Sequence, residues 1–159
     1  AVSYVRNTLG FPAVQADFLA FEPEEHDLPY QYDAVTMWFV LEHFELQEFV
    51  LRKVKSFLRQ GGIFAFSTPN SRGVSGRFSS HLFLENSPED HHIIADPQSV
   101  KHILYSLGFR KIKIVITGHH PERFPLLGRN KLGRAVAAVE SRLFRLGDTF
   151  EVYARKGTE

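Results

Sequence analysis

Three polar stretches of this sequence carry side chains that can move protons or bind a cation. They hold Glu42 and His43, then Asn70, then His91 and His92. Histidine, with an ordinary pKa of ~6.5, can take up or release a proton near neutral pH. A glutamate beside a histidine offers oxygen and nitrogen ligands of the kind that divalent cations accept. The chain has no cysteine, which excludes disulfides, thiolate metal sites and a cysteine nucleophile.

The motifs of several other enzyme classes are absent. None of the five tyrosines has a lysine four residues on, as a short-chain reductase would require. The segment from Gly73 to Gly76 does not supply the G-x-S-x-G turn of hydrolases, and no H-E-x-x-H occurs. The chemistry must therefore come from another arrangement of residues.

Composition predicts one globular domain. The chain has 159 residues, 43% of them hydrophobic, with fifteen phenylalanines. Its formal net charge of +1 gives no field that would attract nucleic acid. No apolar run approaches the ~20 residues of a membrane span. We therefore expect a cytoplasmic domain with neither a nucleic-acid nor a membrane partner.

The segment from Tyr32 to Asn70 predicts a strand, a helix and a second strand. The apolar runs Ala34–Phe39 and Ile63–Thr68 lack polar alternation, which is typical of strands in a parallel sheet covered on both faces. Gly61 is placed to end the helix between them. The buried stripe of that helix is predicted to contain Leu46, Phe49, Val50, Val54, Phe57 and Leu58.

Shorter patterns precede and follow this unit. Residues 13–18 (AVQADF) predict a short strand, and residues 70–95 a long loop whose apolar centre, 82–84, predicts a short helix or a lid. Asp96 and Pro97 are an N-cap and a first-turn proline for a helix, and Lys111–Thr117 predicts a strand after it.

The last third of the chain predicts a helix and a final strand. Residues 129–146 place four large apolar side chains on one side and most of the basic ones on the other, which favours a solvated basic face. In Thr149–Arg155 apolar residues alternate with more polar ones, as in an antiparallel strand.

The strings YDAVTMWFVLEHF and LRQGGIFAFSTPN resemble the second half of class I S-adenosylmethionine-dependent methyltransferases. The resemblance is to the small-molecule type, particularly to quinone-precursor O-methyltransferases. It implies an α/β, Rossmann-like, mostly parallel sheet with an antiparallel last strand. The matching residues are Tyr32, Asp33, Val35, Leu41, Glu42, His43, Leu58, Gly61, Gly62, Thr68 and Asn70.

The resemblance implies S-adenosyl-L-methionine as the cofactor and assigns four residues to it. Asp17 would accept a hydrogen bond from the adenine amino group, with Phe18 along the ring; the alternative is an Asp that caps a turn. Met37 and Trp38 would contact the methionine half, where a sulfonium is attracted to an aromatic face. The alternative for Trp38 is a place in the core.

On the acceptor side the resemblance implies Asn70, His91 and His92. Methyl transfer is an in-line displacement, and much of its rate can come from positioning. A hydroxyl nucleophile also benefits from a base, and His91 is the candidate catalytic base. The alternative is a histidine that orients a lid or binds substrate, with His92 as the neighbouring candidate.

The same resemblance indicates whether this chain should bind a metal ion. Quinone-precursor enzymes tend to carry an acid three residues before the position of Glu42, where this sequence has Phe39. We therefore expect no metal, and read Glu42 as an acid near a helix start that complements the helix dipole.

The resemblance also implies that one methyltransferase domain lacks its N-terminal strand-helix-strand portion, with the glycine-rich turn. The Tyr32 strand would then have a bare edge, covered in a homodimer or by residues 13–18. The expected function is methyl transfer to a small-molecule acceptor, with a hydroxyl as the expected acceptor group. The alternative is a non-catalytic, methyltransferase-like binding or dimerisation module.

Overall fold

The computed structural model describes residues 1–85 and 87–158, and its centre is a four-stranded sheet in the order β1-β2-β4-β3. The strands are β1 (Tyr32–Trp38), β2 (Leu58–Pro69), β3 (Phe109–Thr117) and β4 (Thr149–Lys156). The helices are α1 (Val2–Asn7), α2 (Gln47–Phe57), α3 (Val74–Phe78), α4 (Ser80–Glu85), α5 (Pro97–Ser106) and α6 (Lys131–Leu143). Short 3-10 turns lie at 23–26, 41–43, 121–123 and 127–129.

The strand directions confirm the predicted α/β class. β1 pairs with β2 in parallel, whereas β4 is antiparallel to both β2 and β3. β1, β2 and β3 consequently run the same way, and their carboxyl ends at Trp38, Pro69 and Thr117 share one edge of the sheet. In open α/β sheets ligands bind beyond this edge.

The main core lies between the sheet and helices α2 and α5. Val50, Val54 and Leu104 are fully buried against strand residues such as Phe64 and Phe150. In β4 the buried residues alternate with half-exposed ones, as predicted for an antiparallel strand. Leu46 and Phe49, predicted to be buried on α2, are more than half exposed.

Helix α5 begins as its sequence predicts. The Asp96 carboxylate accepts hydrogen bonds from the backbone N–H groups of Gln98 and Ser99, and Pro97 occupies the first helical position. The apolar centre of the 70–95 segment is helical, as α4, which also confirms that prediction.

The predicted strand at residues 13–18 is wrong, because these residues form no strand. A strand is stable only when a neighbour takes its backbone hydrogen bonds, and this segment pairs with none of the four strands. β1 is therefore an edge strand, largely exposed, and 13–18 does not cover its edge. A homodimer through that edge stays a prediction.

Gly61 has a different place from the predicted one. Helix α2 ends at Phe57, and Leu58 is already extended. Gly61 has a φ of +75° and lies within β2, where the pairing with β1 jumps from Tyr32–Leu58 to Ala34–Ile63. Its left-handed backbone therefore serves a bulge in the strand and not a helix cap.

Helix α6 packs through its small residues. Gly133, Ala137 and Ser141 are buried, and a Cβ at position 133 would collide with the carbonyl oxygen of Leu127. The large apolar side chains predicted to form its buried side point to solvent instead: Leu132, Val136, Val139 and Leu143. No helix within the described ranges has the length and apolar character needed to cross a bilayer.

Candidate functional site

A cluster of three side chains lies beyond the carboxyl ends of β1 and β2. Glu42 and His43 belong to the 3-10 turn 41–43 that follows β1, and His91 comes from the segment before α5. One carboxylate oxygen and one ring nitrogen from each histidine lie within 4.8 Å of one another. The rings of His43 and His91 meet edge to face, with centroids 4.7 Å apart.

The 90–92 segment is attached to the 41–45 turn by three contacts. Nδ1 of His43 lies 3.0 Å from a carboxylate oxygen of Asp90. The backbone N–H of His92 donates to the carbonyl of Glu42 at 3.0 Å, and its ring lies 3.9 Å from Glu45. These contacts hold His91 against Glu42 although the two are far apart in sequence.

Glu42 has a more central place in the site than its sequence pattern indicates. Its side chain is 1% exposed, and neither carboxylate oxygen has a hydrogen-bond partner in the described chain. Nδ1 of His91 is likewise buried without a partner. Glu42 does lie in the first turn of the 3-10 helix 41–43, but a favourable helix dipole does not by itself account for the cost of burying its carboxylate. A buried carboxylate without partners is costly, so its presence suggests a functional role.

The cluster also has the composition of a cation site, with one carboxylate and two imidazoles. This arrangement exists despite Phe39, the residue on which the expectation of no metal depended. Phe39 itself has a φ of +52°, unusual for a bulky residue, and its N–H donates to both the carbonyl and the hydroxyl of Ser67. The backbone is thus strained where β1 leads into the cluster.

Two neighbouring clefts reach His91. The larger, about 560 Å³, is lined by Phe83, Leu84 and Pro88 together with both His91 and His92. The smaller, about 360 Å³, places His91 opposite Ser75 and Arg123. His91 is therefore accessible from a partly apolar cleft, while Glu42 lies buried behind it.

Asn70 lies apart from these clefts. Its amide donates to the carbonyl of Gly147 at 2.7 Å and accepts from the N–H of Arg72 at 3.0 Å. The side chain is 1% exposed and joins the end of β2 to the loop before β4. These contacts give it a structural role, and a contact with the acceptor stays a prediction.

The four residues predicted for the cofactor are divided between core and surface. Phe18 packs against Phe44 and Phe57, and Met37 is buried in the core. Trp38 is 46% exposed at the end of β1. Asp17 is exposed, and one carboxylate oxygen accepts from the N–H of Leu19 at 2.9 Å, as in the turn-capping alternative. The residues therefore fit a nucleoside cofactor in part: Trp38 and the second oxygen of Asp17 are available to it.

Several solved structures with similar folds are methyltransferases. A SAM-dependent methyltransferase from Archaeoglobus fulgidus superposes with a TM-score of 0.64 at 19% identity, over 94% of this chain and 70% of that one. A possible histamine N-methyltransferase from Thermotoga maritima gives 0.58 at 14% identity, over 80% and 57%. Phosphoethanolamine N-methyltransferase 2 from Haemonchus contortus, solved with S-adenosyl-L-methionine, gives 0.54 at 13%, over 89% and 36%.

At these identities the likeness concerns the fold alone, and the chain spans only part of each relative. No curated protein matches the sequence significantly. The family comparison is more direct, because the model described as "Methyltransferase domain" matches residues 3–114, from α1 into β3. That match includes both parts of the Glu42–His91 cluster and well over half of the chain. The chain therefore belongs to the methyltransferase domain family.

Proposed function

We propose that this chain belongs to a SAM-dependent methyltransferase that methylates a hydroxyl of a small molecule. The observation that carries the proposal is the buried carboxylate of Glu42 and the buried Nδ1 of His91, which lack hydrogen-bond partners although His91 also lines an open cleft. The family match supports methyl transfer. The acceptor class is inferred from the presence of a candidate base, which a hydroxyl requires more than an amine does.

In this proposal His91 takes the proton from the acceptor hydroxyl as its oxygen attacks. Glu42 then faces a protonated imidazole, and the carboxylate gains the partner that it otherwise lacks. The buried charge thus favours the form of His91 that arises during the reaction. S-adenosyl-L-methionine supplies a methyl group on cationic sulfur, and the electron pair of the broken S–C bond remains with the sulfur of S-adenosylhomocysteine.

The proposed cofactor contacts involve Trp38 and Asp17. Trp38 presents an exposed ring at the end of β1, where it can lie near a cationic sulfur. Asp17 can accept a hydrogen bond with the oxygen that Leu19 does not use. Phe18 and Met37 support these two residues from the core.

A second candidate role for the cluster is to hold a divalent cation that lowers the pKa of the acceptor hydroxyl. The three ligand atoms within 4.8 Å of one another favour it. A chelator separates the two roles. We expect methylation to survive EDTA if His91 acts as the base; loss of activity that Mg²⁺ or Mn²⁺ restores would favour the cation.

Cofactor titration tests the proposal at its first step. We expect S-adenosylhomocysteine to bind saturably below millimolar concentration, measured by titration calorimetry and by the fluorescence of Trp38, the single tryptophan. Asp17→Asn should weaken binding about tenfold, as loss of a hydrogen bond to a charged group does. Glu25→Gln, at another exposed acid of the same region, is the control. A flat titration would instead support the non-catalytic binding module.

Activity tests the second step. We expect His91→Gln to lower kcat by about 10²-fold or more with little change in KM, as loss of a general base does. His102→Gln, at an exposed position on α5, should leave kcat unchanged. An unchanged kcat in His91→Gln would contradict the role of base.

A further inference from the structure

The outer surface of α6 has the composition of a membrane-binding surface. Its large apolar side chains are strongly exposed: Leu132 by 79%, Val136 by 43%, Val139 by 65% and Leu143 by 71%. At 100° per residue these four fall within one narrow stripe. Adjacent exposed apolar residues are normally found at binding surfaces.

Packing fixes the rotation of α6 about its own axis, so the exposure of its large apolar side chains is a property of the fold. Gly133, Ala137 and Ser141 recur every four residues and are buried against the preceding segment. The close approach at Gly133 excludes a side chain there, and the Ser141 hydroxyl lies 2.6 Å from a ring nitrogen of His119. The small face therefore packs inward and the large apolar face must point away from the protein.

Positive charge lies along one side of the stripe. Five basic residues are exposed along 129–145, and none of them forms an ion pair with a carboxylate in the described parts of the chain. Glu140 is the single acid in this segment, and it is half-buried. Lys131 and Arg142 lie beside the stripe on the side away from Glu140. The five are Arg129, Lys131, Arg134, Arg142 and Arg145.

We propose that α6 docks this chain on an anionic lipid surface, with Leu132, Val136, Val139 and Leu143 inserted among the acyl chains and the flanking cations on the headgroups. An apolar stripe combined with lysine and arginine that form no ion pair with a carboxylate is the pattern of helices that lie in a bilayer interface. Nucleic acid would use the charges but not the stripe. This proposal departs from the expectation, drawn from the lack of a long apolar run, that the chain has no membrane partner.

The position of α6 connects this surface with the candidate cleft. The insertion that carries α6 lies between β3 and β4, at the sheet edge where the carboxyl ends of the parallel strands meet. Arg123, in the turn packed against α6, lines the smaller cleft together with His91. The insertion also lies outside residues 3–114, so the family match does not account for its surface.

Vesicle sedimentation tests the proposal. We expect the chain to sediment with phosphatidylcholine vesicles that contain phosphatidylserine, to bind pure phosphatidylcholine far less, and to be released by added NaCl. Lys131→Gln with Arg142→Gln should weaken binding about tenfold or more, since each cation near the surface contributes. Val139→Ser with Leu143→Ser should have a comparable effect. Ile103→Ser, at a half-exposed apolar residue of α5, is the matched control.

The alternatives give different results. A chain that stays in the supernatant, or α6 variants that bind as well as the unmodified chain, would overturn the proposal. If light scattering shows a dimer that Val139→Ser with Leu143→Ser converts to a monomer, the stripe is a contact between copies and the proposal is also overturned. Circular dichroism is the control for folding, and we expect each variant to be folded because the substitutions are at exposed positions.

Discussion

The rings of His43 and His91 stand edge to face with centroids 4.7 Å apart, although one follows β1 and the other precedes α5. This contact closes the cluster around Glu42. Asp90 takes one ring nitrogen of His43, while Nδ1 of His91 is left without a partner. The arrangement therefore leaves an unpaired imidazole nitrogen beside an unpaired carboxylate.

Glu42→Gln should separate activity from stability. The unpartnered charge of Glu42 opposes folding, so a neutral amide of similar shape should leave the free energy of unfolding unchanged or raise it by about 1 kcal/mol. The methylation rate should nevertheless fall, because the protonated form of His91 loses its stabilising charge. Urea denaturation and a kcat measurement test this. A variant that is both unstable and inactive would indicate a structural role for Glu42.

Asp148→Ala should destabilise the joint between α3 and the insertion. The Asp148 carboxylate is 3% exposed and accepts from the N–H and the hydroxyl of Ser75 and from Arg123 at 2.7 Å. Removing it leaves these donors without their acceptor, at a cost of about 2–4 kcal/mol. Urea denaturation measures the loss. Glu151→Ala, at a half-exposed acid, is the control; equal stability of the two variants would contradict the prediction.

Asp96 should make the stability of the chain depend on acidity. Burial raises the pKa of Asp96, but hydrogen bonds from Gln98 and Ser99 and the contact with Arg72 outweigh it, so the folded pKa lies below its ordinary value. A lowered folded pKa stabilises the protein above the unfolded pKa of ~3.9, and this stabilisation is lost as the pH falls through the folded value.

The measurement compares Asp96→Ala with the unmodified chain at two pH values. At pH ~7 the substitution should cost about 1 kcal/mol of unfolding free energy, as loss of an N-cap does. As the pH falls below the unfolded pKa of ~3.9 and through the lowered folded value, the difference between the two proteins should shrink, because the unmodified carboxyl becomes protonated too. Asp96→Asn, which retains a capping oxygen, should cost less. A difference that stays constant with pH would contradict the assignment.

Gly133→Ala should destabilise α6 although alanine is the better helix former. In an open helix this exchange gains about 1 kcal/mol. At position 133 the added methyl meets the carbonyl oxygen of Leu127, and the overlap should cost about 1–3 kcal/mol. Ala135→Gly, at an exposed position of the same helix, shows the ordinary cost of glycine. Thermal unfolding of both variants tests whether alanine, which stabilises an open helix relative to glycine, destabilises α6 at position 133.

The sequence predicted the structure correctly where a local pattern is compatible with only one local structure. The uniform apolar runs of β1 and β2 indicated their parallel pairing, and Asp96 with Pro97 located the start of α5. Residues 13–18 have strand-like composition but no neighbouring strand. Composition cannot supply that neighbour, so the prediction was wrong.

Two other features depend on tertiary contacts that local patterns do not record. On α6 both the large apolar residues and the small ones recur at helical spacing, and only the close approach at Gly133 decides which set packs inward. Glu42 has the sequence signature of a surface acid near a helix start. The docking of residues 90–92 buries it and turns it into the centre of the site.

The inward face of three small residues on α6 has a consequence for substitutions on its outward face. Because the buried residues of the helix are Gly133, Ala137 and Ser141, its outward side chains can be exchanged without repacking the domain. If α6 docks as proposed above, substitutions on its outward face should change which surface the molecule binds and leave the residues around Glu42 in place.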